Sequence, residues 1–249
     1  MSRTGGRTAV WLLTALLAGC GTTVTGSTVT SSAGGGDPAP SLAPSRAVSR
    51  APKITYPDGG SASYRSAKAQ TSVAPGDGPV LRYRVLVERD IGGVTPAEFA
   101  RAVQQTLDDP RGWTAGGTRL RRVGPGQRYD FTIYLVTPDT RDALCQDVPD
   151  GYTSCRNGDR VVLNVARWAD GVPGYGAPLA AYRQYMVNHE VGHRLGQGHE
   201  LCPGRGEPAP VMQQQTLGLH GCRANPWPYL DGERYAGTSG TYNDQIPGR

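Results

Sequence analysis

Apolar positions recur with two different periods along the second two thirds of the chain. Over Val80–Glu88 they alternate with polar ones, with Leu81, Tyr83, Val85 and Val87 on one side, which is the period of a strand. From Pro96 the apolar residues Phe99, Val103 and Leu107 fall on one helical stripe, so a helix is predicted to about Leu107. Residues 120–123 read as a short strand. Residues 129–136 read as a stronger one, with Phe131, Ile133 and Leu135 on one face, and residues 161–165 as a strand apolar almost throughout. Pro178 then opens a helix to about Leu195. Tyr182, Met186, His189 and His193 share a stripe on it while Val187 and Val191 fall on another, which marks a central helix. The order is strand, helix, three strands, helix, without internal repeats. An α/β (α+β) fold with one core is expected over residues 79–249, its last stretch irregular.

The first residues lack such a pattern and read as targeting. Arg3 and Arg7 precede an apolar run, residues 10–18, that is too short to span a bilayer stably. The run closes on Leu17-Ala18-Gly19-Cys20, which resembles the bacterial lipobox. By that likeness residues 1–19 are a signal peptide and Cys20 is the lipidated first residue of the mature chain. Residues 20–78 are rich in Ser, Thr, Gly, Ala and Pro and are expected to be a disordered tether. Ile54 and Tyr64 are its apolar exceptions, able to dock on the domain. With Cys20 set aside, four of the five cysteines remain, an even number in an exported chain. They permit three pairings. The sequence-local one is expected: Cys145 with Cys155, and Cys202 with Cys222. No C-x-x-C spacing favours a cysteine metal site. The formal charge of +5 is spread out, with no basic run interleaved with aromatics, so nucleic acid is not an expected partner.

The chemistry sits in residues 189–200, HEVGHRLGQGHE, where three of the four histidines of the chain lie. Residues four apart share a helix face, so His189 and His193 can reach one ion. Gly196 tolerates the left-handed conformation that ends a helix, and the chain can then return His199 as third ligand. Three protein ligands with one position left open is the catalytic form of a zinc site. Glu190 stands beside the ligands, placed to take a proton from water. His220 lies in a Gly-flanked loop and is read as structural.

The string H-E-x-x-H-x-x-G-x-x-H resembles the signature of the metzincin zinc peptidases, which carry a methionine in a tight turn under the metal. Met212, in PVMQQQT, matches that position. Glu200 is similar to the astacin choice after the third histidine, whereas Gln214 departs from the astacin tyrosine. The wider run of LRYRV, DPRGWTAGG, VVLN, NHEVGHRLGQGHE, PVMQQQT and NPWP resembles an uncharacterised actinobacterial family of secreted, metzincin-like lipoproteins. The resemblance implies a twisted mixed sheet backed by two helices, with a loop-rich, disulfide-bonded C-terminal subdomain. It also implies that residues 161–165 form the antiparallel edge strand above the metal.

Together these readings give an expectation of a zinc-dependent endopeptidase. It would be a monomer anchored by lipid to the outer face of a bacterial cytoplasmic membrane, acting on a protein or peptide through a zinc-bound water that Glu190 activates. The alternatives are a zinc-bearing envelope protein for binding or assembly, without turnover, and a substrate-binding lipoprotein in which the motif is idle. Glu190 weighs against the first of these, because a structural metal needs no base.

Overall fold

The computed structural model describes residues 52–72 and 78–247. The signal peptide expected over residues 1–19, the lipidation at Cys20 and most of the expected tether lie outside them. A short strand β1 (Tyr64–Ser66) is followed by β2 (Val80–Glu88), helix α1 (Pro96–Leu107), β3 (Arg119–Arg122) and β4 (Phe131–Val136). Then come α2 (Pro138–Cys145), β5 (Cys155–Asn157), β6 (Arg160–Asn164), α3 (Val165–Asp170), α4 (Leu179–Arg194) and a small hairpin of β7 (Tyr229–Leu230) and β8 (Glu233–Arg234).

Six strands form one mixed sheet in the order β1-β2-β4-β6-β5, with β3 also paired to β2. β3, β2, β4 and β6 run parallel, and β1 and β5 are antiparallel to their neighbours. Side chains alternate across this sheet. Tyr83, Val85, Ile133, Leu135, Val161 and Leu163 face the main core, which α1 and α4 cover, while Tyr134, Val136 and Val162 join Cys145 in a smaller cluster. All six residues of β4 are buried, as an interior parallel strand requires.

The helices start and stop where local chemistry dictates. Thr95 accepts a hydrogen bond from the Glu98 backbone N–H while the Glu98 carboxylate accepts one from Thr95 N–H, a reciprocal cap reinforced by Pro96. Phe99, Val103 and Leu107 are buried along α1, as their spacing predicts. Pro178 opens α4.

Two expectations are corrected. The apolar run at 161–165 is not the edge: β6 lies between β4 and β5, and the antiparallel strand at that end of the sheet is β5. An almost wholly apolar strand has both faces covered, which suits an interior position. The tether expected over 20–78 is also too long. Residues 52–72 belong to the compact unit that begins at Ser49. Ile54 packs on the main core, Tyr64 meets Tyr134 edge-on at 5.2 Å, and β1 pairs with the end of β2. The buried carboxylate of Glu88 fixes this region, accepting from Ala62 N (2.9 Å), Thr137 N (2.8 Å) and Thr140 Oγ1 (2.7 Å). Among the described residues the segment beyond β8 has no regular element, as expected, yet it is tied down by Leu201 N to Thr238 O and by Gly240 N to His199 O.

Candidate metal centre

α4 carries His189 and His193 one turn apart, and its end brings in His199. Gly196 N–H donates to His193 O, and Gln197 N–H to Gly192 O at 2.9 Å. Gly196 has φ +89° in this closing turn, a conformation that costs glycine little and other residues much. The chain reverses there, and His193 Nε2 comes within 3.2 Å of His189 Nε2 and 3.0 Å of His199 Nε2.

The remaining ring nitrogens fix the tautomers. His189 Nδ1 donates to Val211 O and His193 Nδ1 to Gln197 O, each at 2.9 Å. Nε2 of both rings is therefore an unprotonated acceptor, and like lone pairs at this separation repel unless a cation lies among them. Burial holds all three imidazoles below the usual histidine pKa, that of His199 at about 4, so they are neutral at pH 7. The cluster of His189, His193 and His199 can hold a metal ion.

Glu190 lies on the cavity of about 470 Å³ that these histidines share. Its Oε2 is buried without a hydrogen-bond partner. Burial pushes its carboxyl up to about 8, against the opposing pull of the Arg141 and Arg156 guanidinium groups.

Met212 is buried in the turn beside the ligand helix, and its carbonyl accepts from Glu200 N at 3.2 Å. Gly192 lets the two approach. A Cβ there would press on the Met212 sulfur and lie 2.7 Å from Trp113 Cζ2. Gly192→Ala should therefore destabilise the fold by about 1–3 kcal/mol through overpacking. Thermal unfolding would register this as a lower Tm, and an unchanged Tm would mean that the contact yields.

Both expected disulfides are present, Cys145–Cys155 and Cys202–Cys222. The second brackets Met212, and the pair suits an oxidising, extracytoplasmic environment. Among the described residues no helix is long and apolar enough to cross a membrane. Gln214 lines the cavity, whereas Glu200 is turned to Arg234 Nη2 (2.7 Å) and Gly237 N (3.2 Å), so it fastens the C-terminal segment. His220 is apart from the cluster, stacked on Tyr242 and bonded to Asp244 at 2.9 Å. Arg194 donates to Asp130 O and lies over the Phe131 ring, fastened to the sheet.

Several cavity residues escaped the sequence reading. Tyr185 is one turn before His189, at the same spacing as the ligands, and that spacing was its available signal. Thr216 and Leu217 come from the loop after Met212. The loop closed by Cys145–Cys155 supplies Asp147, Val148 and Thr153, and β5 supplies Arg156. These carry no motif.

A family model described as "Protein of unknown function (DUF3152)" matches residues 51–230. The chain belongs to this family. No curated protein and no solved structure matches it. The DUF3152 match takes in the residues before β1, which agrees with a domain that begins near residue 51 rather than 79. It spans His189, Glu190, His193, His199, Met212 and both disulfides, and it ends at the last residue of β7.

Proposed function

We propose that this chain is a zinc-dependent endopeptidase of metzincin type. The observation that carries the reading is the convergence of three neutral imidazoles, with their Nε2 atoms 3.0–3.2 Å from the central one, beside an unpartnered buried carboxylate on an open cavity. The donor set fits zinc, which favours imidazole nitrogen and in catalytic sites takes three protein ligands. Support for the metzincin likeness comes from the closing turn at Gly196, from Met212 packed on α4 and from an antiparallel edge strand beside the cavity.

His189, His193 and His199 would hold the ion, and Val211 O and Gln197 O orient the first two rings from behind. Zinc, when bound, supplies Lewis-acid chemistry, polarising a carbonyl and making water nucleophilic near neutral pH. Glu190 takes the proton from the attacking water and returns it to the leaving nitrogen. Among the described residues the outer side of β5 has no strand partner, and an extended peptide can add there through main-chain hydrogen bonds. Anchoring through Cys20 outside the cytoplasmic membrane completes the reading.

The test is the purified chain against a broad peptide library, with elemental analysis alongside. About one zinc per chain is expected, with cleavage that stops on chelation and returns with added zinc. Protein that takes up no metal refutes the zinc site. Zinc without cleavage of any peptide refutes the peptidase and favours a binding or assembly role.

A further inference from the structure

Two arginines line the cavity, and they differ in what they already hold. Arg141 is buried and held through both Nη atoms, while its Nε has no partner. It donates to Asp142 (2.8 Å), to both carboxylate oxygens of Asp147 (3.1 Å) and to Thr153 Oγ1 (2.9 Å), and lies 3.3 Å from Asp150. Arg156 is exposed, and among the described residues its side chain has no hydrogen bond or ion pair.

The pleat of β5 sets where Arg156 stands. Cys155 and Asn157 turn toward α2, the first through its bond to Cys145 and the second by donating from Nδ2 to Leu144 O at 3.1 Å. Successive side chains of a strand point to opposite faces, so Arg156 is on the face that α4 occupies. It lines the same cavity as Glu190 and His193.

We infer that Arg156 selects substrates that carry a carboxylate close to the cleaved bond, from an acidic side chain or from the end of a peptide. The inference rests on the peptidase reading above. A guanidinium presents paired N–H donors that match the two oxygens of a carboxylate. The aspartates of the cavity, Asp147 and Asp150, lie against Arg141, and among the described residues no carboxylate is ion-paired with Arg156, whose charge is felt in the same cavity by Glu190. A peptide laid along β5 passes this cation. An anionic group there gains a charge-assisted bond, and a basic one meets like charge.

The test uses the zinc-loaded full chain and matched peptides. The pairs differ only in Glu against Gln at one position near the cleaved bond, or in a free against an amidated C-terminus. In kcat/KM the parent should favour the carboxylate member of one pair by about tenfold, the order of one charge-assisted bond. The pair that responds tells side chain from terminus. Arg156→Ala should bring the ratio close to one, and Arg156→Glu should shift preference to a Lys counterpart. Because each ratio is taken within one variant, general loss of fold or metal cancels. A parent ratio near one for every pair, or one unchanged in Arg156→Glu, overturns the inference. If the chain cleaves nothing, the same peptides are titrated as ligands by fluorescence anisotropy. Tighter binding of the carboxylate member, lost in Arg156→Glu, keeps the role of Arg156 while the peptidase reading falls. Equal or absent binding overturns both.

Discussion

Replacing Glu190 by alanine should cut peptide hydrolysis by roughly 100- to 10,000-fold while zinc content and fold stay at the level of the parent. The expectation rests on a separation of roles. The metal would be held by His189, His193 and His199, whose Nε2 atoms converge without help from Glu190. The buried Oε2 of the carboxylate has no hydrogen-bond partner to be orphaned by removal. Burial has also pushed this carboxyl up to about 8, so its charged form is costly to keep in place. Truncation leaves a small void beside the cavity rather than a broken network. Glu190→Gln serves as the control of equal shape, and it should be as inactive as the alanine variant because an amide cannot accept the proton. Activity and zinc lost together in both variants would mean that Glu190 shapes the site. Cleavage surviving in both would mean that another group moves the proton.

The site was legible because its chemistry is written in short spacings. His189 and His193 are four apart on a helix, Gly196 meets a positive φ, and His199 returns directly after it. α1 was legible for a similar reason, since Pro96 announces its start and a three-residue apolar stripe its buried face. What escaped is short or depends on distant partners. β1 has three residues, in a Ser- and Gly-rich segment, and owes its place to backbone pairing with β2 and to the Glu88 carboxylate. Composition predicts little there. β5 is equally short, Cys-Arg-Asn, and its edge position follows only once β6 is known to lie inside the sheet. The apolar run of β6 itself pointed inward, and the borrowed element order pointed the wrong way. α2 has eight residues, with the buried Arg141 among them, and a guanidinium made tolerable by three aspartates gives no apolar period to read. Arg156 has no motif at all. It is notable only because, among the described residues, no carboxylate is ion-paired with it although it shares a cavity with Glu190.

Replacing His199 by alanine should weaken zinc binding by more than the roughly 10- to 100-fold that loss of a hydrogen-bond partner behind a ligand costs. Of the three candidate ligands it gives the cleanest test. His189 and His193 are anchored on α4 by Val211 O and Gln197 O, and changing either disturbs contacts on which the helix packs. His199 comes from the loop after the helix, is only partly buried, and has Thr241 Oγ1 at 3.4 Å from its Nδ1. Alanine there should remove a ligand and little else. Two histidines four apart on a helix remain, and they can hold zinc only loosely. His220→Ala supplies the contrast. That ring stacks on Tyr242 and bonds Asp244, apart from the cluster, so zinc affinity should match the parent. Titration with a competing chelator would rank the three proteins. Parent-like affinity in His199→Ala would refute a site of three histidines, and loss of zinc in both variants would place the defect in the fold of the C-terminal region.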